Sequence, residues 1–305
     1  MFDVIIVGGG PAGLTSAIYT SRAGLSTLVV EQMSLGGQAA LTYQIDNYPG
    51  FKNISGAELA SDFEAHVRDA GAKVVMEEVT GLRLDGECKT VTTPSGQYEA
   101  KAVILALGSD RKKLGIPGEE EFSGRGVSYC ATCDGNFFRN RNVAVVGGGN
   151  TAVEYAVELS ELCRQVTLIY HGEQLSAMYS LKKQLSDRPN VTVLYRQEIQ
   201  EILGSQKVER VRLKETKTGE ESFLSLDGVF IAIGMKPNSG LIDGKILFSD
   251  GFIKADENGV TPVPGVFAAG DLRKKQLYQI VTAMSDGANA AYSAQRYLQN
   301  PKSQG

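Results

Sequence analysis

The chain has 305 residues, 42% hydrophobic and 22% charged, which suits a folded protein with room for more than one domain. Its net charge of −4 argues against nucleic acid or an anionic membrane as a partner, and no apolar run approaches the ~20 residues of a membrane helix. Glycine is abundant at 35 residues, which points to tight turns and close approaches between backbone and ligand.

The first predicted element is a buried strand over residues 4–7. Because this start lacks the basic leader of a signal peptide, a cytoplasmic location is expected. The strand runs into Gly8-Gly9-Gly10-Pro11-Ala12-Gly13, then a helix over 14–22 and a second strand over 27–30. Glycines at this spacing allow a tight turn and let a pyrophosphate approach the backbone at the helix N-terminus. Glu31, at the end of the next strand, can accept hydrogen bonds from a ribose diol. Dinucleotide binding is therefore expected at Gly8, Gly10, Pro11, Ala12, Gly13 and Glu31. Gly37 and Gln38 follow in a second glycine turn suited to an extended cofactor, which favours FAD over NAD.

Next comes a strand over 102–107 that ends at Gly108, followed by a Gly/Pro-rich connector over 112–118 that reads as a hinge. A second copy of the opening pattern follows. It comprises a strand over 143–146, the turn Gly147-Gly148-Gly149-Asn150-Thr151-Ala152, a helix over 153–162 and a strand over 166–169. A strand over 228–233, a second hinge over 237–244 and a strand ending at Gly270-Asp271 come next, and a helix over 280–297 closes the chain. Asp271 reads either as a ligand to the ribityl or phosphate region or as a cap of a turn. The predicted fold class is α/β, with two Rossmann-like dinucleotide-binding domains, one inserted in the other. Residues 1–112 and 244–305 would form a discontinuous FAD-binding domain, and 113–243 a nucleotide-domain-like insert.

Between the two copies lies Cys130-Ala131-Thr132-Cys133-Asp134-Gly135. A close cysteine pair in a cytoplasmic chain means redox or metal chemistry. Zinc needs about four ligands, and the chain has no second pair of this spacing and only His66 and His171. Redox activity is therefore the favoured reading, with a zinc site and a buried structural pair as alternatives. Asp134 can shuttle a proton as dithiol and disulfide interconvert, or simply occupy a surface turn. Cys88 and Cys163 are expected to be inert.

These motifs, together with Asn47-Tyr48-Pro49-Gly50, residues 265–271 and Thr282-Ala283 with Asp286-Gly287, resemble the low-molecular-weight thioredoxin reductases over nearly the whole chain. The resemblance implies an FAD enzyme, a homodimer and a large rotation between domains. It implies that Cys133 faces the flavin, that Cys130 exchanges with the disulfide of thioredoxin, and that Asp134 is the acid/base. It also places Thr42, Asn47, Val79, Gly108, Gly270, Tyr278, Gln279 and Ile280 at the cofactor.

The chain departs from the family after the second nucleotide turn. Where the family carries a His-Arg-Arg-x-x-x-Arg cluster for the 2′-phosphate of NADPH, this chain reads Tyr170-His171-Gly172-Glu173-Gln174-Leu175-Ser176. Charge-assisted bonds to phosphate contribute roughly 1.5–3 kcal/mol each, so losing two or three weakens NADPH by several orders of magnitude. Tyr278 replaces an arginine that is usual beside the flavin. In these respects the chain is similar to the branch of the family that uses reduced ferredoxin directly. Its negative charge then requires a local basic patch, for which Arg111-Lys112-Lys113 and Arg273-Lys274-Lys275 are candidates. An NAD(P)H-dependent reductase with an atypical site and a non-catalytic redox sensor remain as alternatives.

Overall fold

The computed structural model describes residues 1–42 and 45–300. Its helices along the chain are α1 (Pro11–Arg22), α2 (Gly37–Ala40), α3 (Gly56–Asp69), α4 (Ala131–Asp134), α5 (Asn150–Ser160), α6 (Tyr179–Ser186) and α7 (Ile280–Gln299). Two compact units form, Met1–Asp110 with Lys236–Gly305, and Arg111–Met235. Residues 301–305, the end of the expected 244–305 segment, lie outside the described residues.

The first unit is built on one sheet. Strands Lys73–Met76, Thr27–Glu31, Phe2–Val7 and Gly96–Leu105 lie side by side and parallel, and Val266–Ala268 also pairs parallel with Gly96–Leu105. Lys89–Thr93 and Gly81–Arg83 extend the sheet antiparallel. The central strands are rich in Val, Ile and Leu and buried on both faces, as parallel strands covered on two sides must be. One face packs Val4, Ile6 and Ile104 against Leu14 and Ala17 of α1 and Ala290 and Ala294 of α7. The small residues of α7 let it lie close to α1.

Lys236 and the residues after it belong to the first unit. There the Asn238 backbone N–H donates to the Gly108 carbonyl (3.0 Å) and its side-chain amide to that of Leu107 (3.2 Å). Ile242 packs with Ile5 and Val7. The boundary therefore falls earlier than the expected residue 243.

The second unit repeats the parallel design. Its strand order is Val191–Tyr195, Gln165–Tyr170, Asn142–Val146, Gly228–Ile231 and Val127–Ser128. Helix α5 covers one face through Val153, Ala156 and Leu159. A three-stranded antiparallel sheet, Gln197–Gly204, Val208–Glu215 and Glu221–Ser225, covers the other through Ile199, Ile202 and Val211. Helix α5 ends at Ser160, short of the expected Leu162.

Candidate active site

In the first unit the turn between Phe2–Val7 and α1 closes on itself. A Cβ on Gly13 would lie 1.9 Å from the Gly8 carbonyl oxygen, so only glycine lets the helix start this close to the strand. Helix α1 has Gly10 as its N-cap and Pro11 in its first turn, and no side chain caps it. The first N–H groups of a helix, here including those of Ala12 and Gly13, have no partner within the helix. Glu31 is held beside this turn. Gly9 N–H donates to its Oε2 (2.7 Å) and Met33 N–H to its Oε1 (3.0 Å).

The second glycine turn comes to the same place. Gly36 N–H donates to the Gly9 carbonyl (2.8 Å), and a Cβ on Gly37 would stand 3.0 Å from the Cα of Gly10. Gly270 meets α1 on its other side, where a Cβ would lie 2.8 Å from that of Ala12. Gly8–Gly13, Glu31, Gly37 and Gly270 thus form one glycine-lined cradle with an uncapped helix terminus and a fixed carboxylate. That donor set fits a dinucleotide.

A second group gathers at the start of α7. The Asn47 amide donates to Gln279 Oε1 (3.0 Å), and Gln279 with Thr282 forms a capping box. Ile280 packs beside Ile45, Ile54 and Leu59. Gln38 Nε2 donates to Asp110 Oδ1 (3.0 Å), two residues beyond Gly108. The Thr42 carbonyl accepts from Gly56 N–H (2.9 Å), and Val79 packs against the apolar layer that contains Ile5 and Val7.

Lys275 ties several of these residues together. Its Nζ lies 3.1 Å from Asp271 Oδ1 and 3.2 Å from Asp286 Oδ2, and it stands 5.7 Å from the Tyr278 ring centroid. Burial pushes the Tyr278 phenol up, so it stays neutral. The basic run 273–275 is therefore no docking patch, because Arg273 is buried on Asp286 and Lys274 pairs with Asp250 (2.5 Å). The other candidate run is partly committed as well. The Arg111 guanidinium donates to the Tyr129 carbonyl, and Lys113 pairs with Glu120 (2.8 Å).

The second unit carries the cysteines. Cys130 and Cys133 are joined as a disulfide with their Cα atoms 5.3 Å apart, so the sulfurs are not free to ligate a metal. Cys130 is the buried N-cap of α4, and its sulfur accepts from Cys133 N–H (3.2 Å). Ser128 fixes the turn from below. Cys130 N–H donates to Ser128 Oγ (3.1 Å), and that hydroxyl donates to Asp134 Oδ2 (2.6 Å). In the sequence the only signal for Ser128 is a serine two residues before the turn, the spacing of a side chain–backbone motif. No local pattern announces Glu119. Glu119 is buried and accepts from Tyr129 OH (2.7 Å) and from the N–H groups of Leu114 and Gly115. Cys163 is buried, and desolvation pushes its thiol up to about 11. Cys88 is a free thiol in the hairpin next to Lys89.

The second nucleotide turn differs from the first at the ribose-reading position. Tyr170 stands where Glu31 stands in the first unit, and its ring covers Gly148, the counterpart of Gly9. A Cβ on Gly148 would lie 2.4 Å from that ring. A cavity of about 630 Å³ opens here, lined by Gly147–Gly149, Asn150, Tyr170, His171 and Glu198, and no lysine or arginine lines it among the described residues. Glu173 is taken by Lys217 (2.6 Å) and Arg196 (3.4 Å).

A dinucleotide cradle in one unit and a dithiol turn in the other define a disulfide oxidoreductase. The family model described as pyridine nucleotide-disulphide oxidoreductase matches residues 2–287. The chain is 45% identical over 302 residues to the thioredoxin reductase of Bacillus subtilis, covering 98% of this chain and 95% of that protein. The crystal structure of thioredoxin reductase from Streptococcus pyogenes superposes with a TM-score of 0.90 at 40% identity, covering 98% of both chains. A ferredoxin-flavin thioredoxin reductase from Clostridium acetobutylicum matches with a TM-score of 0.53 at 33% identity, again over 98% of both chains. The chain belongs to the thioredoxin reductase family of pyridine nucleotide-disulphide oxidoreductases, and its cofactor is FAD. Among the described residues no helix is long and apolar enough to cross a membrane.

Proposed function

We infer that the chain reduces the disulfide of thioredoxin through Cys130 and Cys133, with FAD in the first unit and reduced ferredoxin as the electron donor. The observation that carries the donor assignment is Tyr170 lying over Gly148, at the position where the first unit has Glu31. The cations beside this loop, Arg196 and Lys217, are held by Glu173, so a 2′-phosphate would have to compete with that carboxylate for them. The relative named as a ferredoxin-flavin thioredoxin reductase supports the same reading. The energetics allow it. Plant-type ferredoxins lie near about −400 mV. Thioredoxin lies near about −270 mV, so two electrons release ~6 kcal/mol.

In this reading α1 holds the pyrophosphate on the N–H groups of Ala12 and Gly13, and Glu31 holds the ribose. Gly37, Gln38, Asn47, Asp271, Tyr278, Gln279 and Ile280 surround the rest, with Thr42, Val79 and Gly108 at its edges. FAD held there would supply a centre that can take up electrons singly and give them up as a pair. Cys133 is the sulfur turned to the cofactor, Cys130 attacks the substrate disulfide, and Asp134, held by Ser128, manages the proton. The protein acts as a cytoplasmic homodimer.

One observation favours the second reading, a reductase that takes NAD(P)H. The turn at Gly147–Gly149 persists and no side chain caps α5. Anaerobic mixing decides between them. Neither NADPH nor NADH should bleach the flavin absorbance quickly, whereas reduced ferredoxin should. Rapid bleaching by either nucleotide overturns the donor assignment. Reduced ferredoxin with oxidised thioredoxin should then yield thioredoxin thiols at a catalytic rate, which a sensor would not.

A further inference from the structure

Thr132 lies between the redox cysteines on α4 and is exposed. It donates to Glu158 Oε2 on α5 at 3.1 Å. Glu158 is half-buried at the packing surface between these helices. Among the described residues no lysine or arginine pairs with it. The neighbouring acid on its own helix side, Glu161, takes Arg188 (2.8 Å). Helix α6, which also packs on α5, carries Lys182 and Lys183, and neither forms an ion pair with Glu158. From α4 the facing groups are Thr132 and, on the far side of the turn, Asp134, which is engaged by Ser128. A carboxylate so placed has one polar tether, to the redox turn, and no cation to neutralise it.

We propose that Glu158 is a positioning residue for the redox pair, a carboxylate that acts through Thr132 to hold the Cys130–Cys133 couple at a more reducing potential. Reduction breaks the Cys130–Cys133 bond, adds two electrons and takes up two protons to give two thiols, or one proton fewer where one sulfur stays a thiolate. Negative charge arriving on sulfur is opposed by a nearby anion, so the charged carboxylate favours the disulfide. The effect vanishes once Glu158 is protonated. Burial pushes its carboxyl up, against the pull of the Thr132 bond and with the help of the Glu161 charge, so the effect fades as pH falls.

The inference rests on Cys130 and Cys133 being the redox pair, and the test separates the two. The holoprotein is equilibrated in glutathione redox buffers from pH 8 down to pH 5 and quenched by alkylation, and the peptide carrying both cysteines is weighed. Glu158→Gln keeps the shape and the acceptor for Thr132 but removes the charge. At pH 8 it should shift the equilibrium toward the dithiol roughly tenfold, which equals about 30 mV for a two-electron couple. The difference should narrow as pH falls. Thr132→Val should shift the equilibrium in the same direction. An unchanged equilibrium in Glu158→Gln at pH 8 overturns the proposal while leaving the redox assignment intact. A wild-type pair that never exchanges with glutathione overturns both. An unchanged flavin spectrum in each variant shows that the fold is kept.

Discussion

The ring of Tyr170 rests on the Cα of Gly148, and it also blocks Gly172, where a Cβ would lie 2.5 Å from the ring. The same side chain therefore closes two positions that a phosphate-binding loop would use. Introducing arginine at residue 172 alone should fail to create a 2′-phosphate site, because the new side chain meets Tyr170. The combined variant Tyr170→His, His171→Arg, Gly172→Arg removes the obstacle and adds two guanidinium groups. One charge-assisted bond at ~1.5–3 kcal/mol corresponds to roughly 10- to 150-fold in affinity. The combined variant should bind NADPH more tightly than NADH by at least that factor, measured by calorimetric titration. Equal affinities would remove the ring from the explanation.

In the first unit the equivalent position does the opposite. Glu31 accepts from Gly9 and Met33 and so faces the cradle with a fixed orientation. Glu31→Ala removes the ribose acceptor and releases both turns. FAD affinity should fall about 10- to 100-fold, consistent with the loss of one hydrogen bond to a charged group. Glu31→Gln, which keeps one acceptor, should lose less. Flavin fluorescence on serial dilution measures both.

Much of this architecture could be read from the residues. The glycine spacing at Gly8–Gly13 and Gly147–Ala152, each after a β-branched run, announces two βαβ units because the geometry admits few other residues there. The cysteine pair was legible for the same reason. The partners of these elements were not. Glu119 reaches Tyr129 ten residues on, Asn238 reaches Gly108, and Lys275 reaches Asp286, and no local periodicity encodes such pairs. The basic run 273–275 misled for a related reason. Its charges read as surface, yet Arg273 and Lys275 turn inward onto acids that the chain supplies from α7 and from Asp271.

Asp3 gives a pH-dependent contribution to stability. Its carboxylate accepts from Lys101 Nζ (2.8 Å) and from Ser26, and these bonds hold its pKa at about 2. The folded value lies below the unfolded one, so the stabilisation is present above about pH 4 and is lost as pH falls toward 2. The pair is partly exposed, so solvent screening limits it to on the order of 1 kcal/mol. Asp3→Asn should therefore lower stability by about that amount at pH 7 in urea unfolding, and the gap to wild type should narrow below pH 4.

Asp286 carries the largest expected cost. It accepts from Gly270 N–H (3.1 Å), Arg273 Nη1 (2.8 Å) and Lys275 Nζ (3.2 Å), and Arg273 is only 2% exposed. Arg273 Nε lacks a hydrogen-bond partner among the described residues, and its other carboxylate, Glu257, is exposed and stands at 3.4 Å. Asp286→Ala leaves the buried guanidinium with only the exposed Glu257 carboxylate at 3.4 Å, so the loss should approach the about 3–5 kcal/mol of a broken buried pair. It also frees Gly270, whose close approach to Ala12 shapes the cradle. Urea unfolding should show the lost stability, and flavin should be released at a lower denaturant concentration than in wild type. Asp286→Asn keeps an acceptor for Gly270 without the charge and should fall between the two. If Asp286→Ala unfolds as wild type does, the buried ion pair does not hold this corner of the fold together.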